Sequence, residues 1–468
     1  MTGKNVLVVG GSSIPAVCGA VSRRGMKIIG VSFPESVERA VCDPTVIRFE
    51  PVNFAHVAPT VRRLHELHDE LGFEGIVAIS EYGLLAAAMV ARKLGMPGTP
   101  LSVVQNTRDK TRMRRALEAK GLGQVRFRAC ATLAEAHEFF AGLDGSMIVK
   151  PVMGTGSDGV SRVDTAGQLA QSWRLAGGAR AFGGVLCEEF IDGPEVSIEA
   201  YLVDGQFVPV AITDKMTDAN FLEIGHSQPT LLSASMQERI FSATGEILLA
   251  LGITSGVTHT EMRLSSKGPV LIETHTRMGG DHINVLTEET TGVDFGEIHV
   301  ALALGEKPTA PAARPPALVG IALGTYGSSE ANVLSTEQTP KAGAAVPAVR
   351  PPALVGIALG TYGSSEASEL STAQTPRGGA AIRFVTGREG VVTSVEMPEV
   401  NVAAGLHESR CYVKVGNHAT GRSASLDRFG HVLAVAATRA EADRIADAAI
   451  ASVQIVVESP ALVTEAVA

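Results

Sequence analysis

The chain has 468 residues, with 40 basic and 49 acidic side chains and a formal net charge of −9, too long for one ordinary domain of about 100–200 residues. A content of 45% hydrophobic and 19% charged residues excludes a compositionally disordered chain and supplies a sizeable core. With 4% aromatics, one tryptophan and an acidic balance, the chain has no stacking platform for nucleic acid, and no nucleic-acid partner is expected.

The run NVLVV at Asn5–Val9 leads into Gly10-Gly11-Ser12-Ser13, a helical pattern to Arg24 and a second apolar run at Lys27–Val31. This β-turn-α-β opening predicts a parallel sheet with helices on its faces. Val61, Leu64, Leu67 and Leu71 recur at helical spacing, Gly75–Ile79 reads as a buried strand, and Leu84–Leu94 as a helix ending before Gly95. Beyond Gln105 come a basic helix (Asp109–Lys120), a helix near Leu133–Phe140 and a strand at Met147–Lys150. From Val185 to Val210 the alternation is that of strands, broken by Asp192-Gly193-Pro194 and Asp204-Gly205, which predicts antiparallel hairpins. Strands are expected again at His259–Leu264 and Pro269–Glu273, with Ser266-Lys267-Gly268 as the turn. The segment Arg314–Ala331 then recurs unchanged 36 residues on, at Arg350–Ala367, and its Pro/Ala/Gly/Ser-rich composition reads as a linker or surface insertion. Strands at Ala381–Val395 and a helix at Arg439–Val453 close a small α+β unit. The five cysteines, Cys18, Cys42, Cys130, Cys187 and Cys411, form no CxxC pair, and no stretch reaches the about 18 apolar residues that span a bilayer. A cytoplasmic protein with no membrane partner is expected.

The strongest chemical signal is IVKPVMGTGSDGVSRV, Ile148–Val163. Gly154-Thr155-Gly156-Ser157-Asp158-Gly159 matches GxGxxG, but a dinucleotide loop must open into a helix, and Val160–Val163 alternates like a strand. A flexible hairpin over phosphates fits better, with glycines admitting phosphate oxygens to backbone N–H groups and Lys150 adding a fixed charge. An ordinary glycine hairpin is the plainer alternative. A second constellation is HTEMRL followed by LIETHTRMGGDHI. On neighbouring antiparallel strands Glu261 and Glu273 share a parity and a face, as does His275, so two carboxylates can converge on a hard cation such as Mg²⁺. Two solvated glutamates are the alternative. In CEEFIDGPE, Cys187–Glu195, extended backbone stands beside carboxylates, an arrangement able to meet an adenine edge and ribose hydroxyls.

Taken together, VKPVMGTGSDGV, CEEFIDGPEVSIE, HTEMRL and IETHTRMGGDHI, in this order, resemble the ATP-grasp superfamily, and within it the carboxylate–amine ligases of the L-amino acid ligase (bacilysin synthetase) kind. The resemblance covers about Val6–Leu304 and resumes near Ala381. It implies a mixed α/β and α+β ATP-grasp fold with an N-terminal Rossmann-like parallel α/β domain (1–105). An ATP-grasp domain (106–310) with a mobile central lobe at about 125–200, an insertion carrying the repeat (311–380) and a C-terminal α+β lid domain (381–468) would follow. By position it implies that Lys110, in NTRDKTRMR, and Lys150 hold nucleotide phosphates under the loop Gly154, Thr155, Gly156, Ser157. Glu188, Glu189, Phe190 and Ile191 would line the adenine, and Glu195 the ribose. Glu261 and Glu273 would bind Mg²⁺, and Arg277 would steady an acyl phosphate and tetrahedral intermediate. Glu223 and His226, in FLEIGHSQP, would contact amino-acid substrates. A homodimer through the first domain is also implied.

Two features depart from that pattern. His275 stands where most relatives carry Asn, and imidazole suits Mn²⁺ or other transition metals better than Mg²⁺. The repeat occupies what is a shorter connection in relatives. The activity expected is ATP-dependent amide formation between a small-molecule carboxylate and an amine. One alternative is carboxyphosphate chemistry, as in carboxylases or purine-pathway ligases. A dinucleotide-binding oxidoreductase is another, disfavoured because Ser32 and Phe33 stand where an acidic residue should close the second strand. No GxSxG elbow is present, so a Ser-His-Asp hydrolase is not favoured.

Overall fold

The computed structural model describes residues 4–10, 14–34, 43–178, 184–308, 377–421 and 424–458. The turn residues 11–13, Cys42 and the tandem repeat lie outside them. The opening pattern folds as expected: Asn5–Val9 pairs in parallel with Lys27–Ser32 and Gly75–Ala78, and Val46–Pro51 adds a fourth parallel strand. Val6 and Val8 belong to one core and Leu7 and Val9 to another, so apolar side chains of both parities are covered. That two-sided burial is why the run shows no alternation. Helices Pro15–Arg23 and Phe295–Ala303 pack against each other in the first core, and Val57–Leu71 and Leu84–Leu94 in the second.

Two antiparallel sheets follow. The smaller has the order Phe127–Cys130, Val185–Glu189, Met147–Pro151, Ser161–Val163. Its apolar face is covered by Leu133–Ala141 and Leu169–Gly178, with Met147, Val149, Val163, Leu169 and Cys187 fully buried between them. The larger has eight strands, in spatial order Gly268–His275, Gly256–Ser265, Glu195–Val203, Gln206–Thr217, Glu223–Gln228, Gly379–Val385, Gly430–Ala436 and Leu406–Cys411. Helices Lys110–Glu118 and Ala234–Ala250 close its core over Ile198, Leu202, Met262 and Leu271.

Of the two hairpins expected between Val185 and Val210, one forms. Glu195–Val203 and Gln206–Thr217 pair across Asp204-Gly205. Val185–Glu189 instead pairs with Met147–Pro151 and Phe127–Cys130. Asp192-Gly193-Pro194 is therefore the crossing from one sheet to the other, and its turn chemistry serves a change of sheet. Gly193, at φ +131°, passes so close that a Cβ would collide with the Leu264 carbonyl. The C-terminal residues are shared as well: Gly379–Val385, Leu406–Cys411 and Gly430–Ala436 continue the large sheet. Gly390–Glu396, His418–Ala419 and Gln454–Glu458 form a separate three-stranded sheet. Among the described residues no helix is long and apolar enough to cross a membrane.

Candidate active site

A cleft opens between the small sheet and the large one, lined by Lys110, Lys150, Gly154, Thr155, Ser157, Glu188 to Ile191, Glu195, Glu261 and Glu273. Met147–Val149 pairs with Ser161–Val163, so the glycine segment between them is a hairpin loop and does not open a helix. Gly154, Gly156 and Gly159 take φ of +142°, +69° and +72°, values that favour residues without a Cβ. The loop is held down at both sides: Ser157 Oγ donates to the Phe221 carbonyl at 2.9 Å, and the Ser425 amide donates to the Gly156 carbonyl at 3.1 Å.

Asp109 caps the next helix through the Arg112 amide at 2.9 Å, which puts Lys110 on its first turn with its side chain in the cleft. Lys110 Nζ reaches the Gly154 carbonyl at 3.0 Å and Glu273 Oε2 at 2.6 Å, joining loop and carboxylates. One turn on, Arg114 donates to Glu188 at 2.6 Å and to the Leu271 and Ile272 carbonyls. Lys150 meets the other Glu188 oxygen at 2.6 Å. The Glu188 carboxylate is thus the counter-ion of two buried cations, which leaves its extended backbone as the part of the residue that can face an adenine. Glu189 and Phe190 remain at the cleft wall with their amides bonded to the Arg126 and Ser146 carbonyls at 2.9 Å. The Phe190 ring has the Arg162 guanidinium 4.1 Å from its centroid and Arg263 at 5.3 Å, a stacking surface for a planar base.

Across the cleft, Glu261 and Glu273 are register partners, as are His259 and His275 behind them. A bulge after Glu261 keeps the two carboxylates opposed. Each glutamate is backed by an imidazole and each imidazole by a second carboxylate. His259 spans Glu199 at 2.8 Å and Glu261 at 3.1 Å, and His275 spans Glu81 at 2.8 Å and Glu273 at 3.2 Å. The rings lie 6.1 Å apart, nearly parallel. Burial opposes a charge on His259, but Glu199 and Glu261 push it up to about 10. His275 is raised in the same way, against its burial, by Glu81 and Glu273. Both nitrogens of His275, expected as a metal ligand, face carboxylates here, Glu81 and the Glu273 of the facing pair. Lys215 is the hub of this side, 2.9 Å from Glu195, 2.7 Å from Glu223 and 2.9 Å from Glu261. Burial would raise Glu261, and Lys215 with His259 holds it well below the usual carboxylate range. Glu273 is likewise held down against its burial by Lys110 and His275.

Arg277 donates through Nε to Glu81 at 3.1 Å and through Nη1 to the Met278 carbonyl at 2.8 Å. Glu223 and His226 lie one strand beyond Lys215, and Ser425 donates to Glu223 at 3.2 Å. His226 Nε2 is 3.3 Å from Asp281, which also takes both ends of Arg428 at 2.8 and 2.5 Å. Burial raises Glu223 above its ordinary value despite Lys215. The two are thus placed beside the cleft, outside the wall formed by the nucleotide-type residues.

Residues missed in the sequence complete the arrangement, among them Glu81, Lys215, His259 and Arg428. Glu81 had a usable signal, since it follows Gly75–Ala78 at the carboxyl edge of a parallel sheet, where ligand crevices form. His259 shares the parity of Glu261. Lys215 and Arg428 gave no local sign.

Comparison with known proteins places the fold. Models of an ATP-grasp N-terminal domain, an ATP-grasp domain and L-amino acid ligase C-terminal domain 2 match residues 20–98, 143–285 and 383–458. The alanine–anticapsin ligase of Bacillus subtilis (strain 168) is 24% identical over 261 residues, 51% of this chain and 55% of that enzyme. The chain thus spans a little over half the length of that relative. A crystal structure of L-amino acid ligase from Bacillus licheniformis superposes with a TM-score of 0.72 at 20% identity, covering 98% of this chain and all of that one. The biotin carboxylase domain of Hydrogenobacter thermophilus 2-oxoglutarate carboxylase, solved with MgADP, gives 0.65 at 16% identity over 98% of this chain and 91% of that one. With three family models matched in chain order, the chain belongs to the ATP-grasp superfamily and is of the L-amino acid ligase type.

Proposed function

We propose that the chain is an ATP-dependent carboxylate–amine ligase, joining two amino-acid-like substrates through an acyl phosphate with release of ADP and phosphate. The observation that carries this reading is the register pairing of Glu261 with Glu273 opposite Lys110 and Lys150, under one glycine hairpin. The L-amino acid ligase type of the C-terminal region supports amino acids as substrates, as does the amino-acid ligation named for the Bacillus relative.

The donor set fits Mg²⁺, since facing carboxylates are hard oxygen ligands of the kind it takes together with phosphate oxygens. With His275 engaged on both ring nitrogens, the set is an oxygen set, and Mg²⁺ is preferred to Mn²⁺. MgATP supplies the phosphoryl group that turns a poor electrophile into a good one. Lys110 and Lys150 hold the phosphates, Phe190 and Ile191 the base, and Glu195 the ribose. Gly154–Gly159, pinned to Phe221 and Ser425, excludes water that would hydrolyse the acyl phosphate. The amine nitrogen then forms the C–N bond as the C–O bond to phosphate breaks, and the nitrogen loses a proton. Arg277, oriented by Glu81, faces the charge that develops there, while Glu223 and His226 position the amino-acid groups.

The test is ADP and phosphate release over pairs of amino acids, with mass spectrometry of the products. An amide product formed only when both substrates are present supports the reading. A product that needs bicarbonate and no second carboxylic acid would establish carboxyphosphate chemistry in its place.

A further inference from the structure

Outside the cleft, a second set of ligand-type side chains converges where the loop after Arg277 meets the C-terminal strands. His282 opens the helix Ile283–Thr291 from a left-handed φ of +59°. Glu408 lies on Leu406–Cys411 and His431 on the neighbouring Gly430–Ala436. One ligand atom from each lies within 4.8 Å of the others. His431 Nε2 is 3.3 Å and His282 Nδ1 3.7 Å from the same oxygen, Glu408 Oε2. Two donors, each about 2.0–2.1 Å from a tetrahedral ion, stand about 3.3 Å apart, so these spacings need shifts of only a few tenths of an ångström.

The state of His431 points to a ligand. Its side chain is fully buried, and Nε2 faces Glu408 Oε2 at 3.3 Å with no other partner. Nδ1 is held by the Tyr412 hydroxyl at 2.5 Å. A metal-bound imidazole is ordinarily held in this way, its outer nitrogen donating to an oxygen so that the inner lone pair faces the ion. His282 and Glu408 keep 31% and 32% of their side chains exposed, leaving a path for an ion and a place for a water ligand. Arg410 approaches Glu408 through the other oxygen, at 3.7 Å and 60% exposed, and leaves Oε2 to the histidines. The comparable trio Glu223, His226 and Asp281 is a poorer cation site, since Lys215 and Arg428 already neutralise its carboxylates.

We propose that His282, Glu408 and His431 form a binding site for a borderline divalent transition metal of the Zn²⁺ class, with water as a fourth ligand. Imidazole and carboxylate together select such ions over Mg²⁺. An ion there ties the loop that carries Asp281 to the C-terminal strands, and so braces the His226–Asp281–Arg428 cluster beside the cleft. The site does not depend on the ligase reading.

The full chain, stripped with chelator and kept in excess Mg²⁺, is titrated with Co²⁺ and followed by visible absorption, with Zn²⁺ as competitor. One Co²⁺ per chain, displaced by Zn²⁺ but not by Mg²⁺, is the expected result. His282→Ala and Glu408→Gln, at partly exposed positions, should each weaken Co²⁺ binding about tenfold or more while leaving the thermal midpoint of the metal-free protein in place. Tyr412→Phe should weaken it about tenfold without changing MgADP binding. Absence of Mg²⁺-resistant Co²⁺ binding in the wild type would overturn the proposal. So would binding that survives in His282→Ala and is lost in His226→Ala.

Discussion

At Glu188 two cations meet one carboxylate inside the protein, and their shifts pull in different directions. Burial would raise the Glu188 carboxyl, but Arg114 and Lys150 hold it at about 2, whereas burial keeps the Lys150 ammonium below its ordinary value in spite of Glu188. Such a triad is a weak net source of stability and a costly thing to break. Glu188→Ala should therefore destabilise the fold by about 3–5 kcal/mol in urea denaturation. The sign with pH follows from the depressed value: the stability is present above about pH 4.5 and is lost as pH falls towards 2. Glu188→Gln should flatten that part of the midpoint-versus-pH curve. The cleft carboxylates behave differently under substitution. Glu273→Ala removes a partner of Lys110 and half of the facing pair, so turnover should fall to background while circular dichroism stays native. Near-normal activity would remove the metal assignment.

At the scale of elements, two connections decide whether the cleft forms. The crossing at Gly193 has a positive φ and no room for a side chain beside Leu264, so Gly193→Ala should cost about 2 kcal/mol or more. The second is the contact of the glycine loop with the short 3-10 helix Ser425–Asp427. Ser425→Pro removes the N–H that holds Gly156 while suiting the first position of a helix. The predicted result is a several-fold rise in KM for ATP with an unchanged thermal midpoint, and an unchanged KM would show that the contact is idle. The loop and the two strands of the Glu261–Glu273 hairpin were readable in the sequence, because glycine spacing and strand alternation are local properties, whereas the bulge that sets the two glutamates opposite each other was not. The change of sheet at Asp192–Pro194 was not, since the same turn residues serve a hairpin and a crossing equally well.

At the scale of the molecule, the cleft draws on segments far apart in the chain. His275 and Glu81 are separated by 194 residues, and Arg428 and Asp281 by 147. No periodicity or spacing reports such pairs, which is why Lys215 and Arg428, and the partners of Glu81, became visible only in the folded chain. The parallel first sheet and the order of the motifs were legible, because each rests on short continuous runs of residues. The joining of Gly379–Val385 to the large sheet was not, because pairing partners are set by the whole topology. The central claim, phosphoryl transfer to a substrate carboxylate, is tested most directly by isotope transfer. With an amino acid ¹⁸O-labelled in its carboxylate and a second amino acid as amine, the account predicts one ¹⁸O in the phosphate released alongside ADP and amide. Unlabelled phosphate, or AMP and pyrophosphate as products, would contradict it.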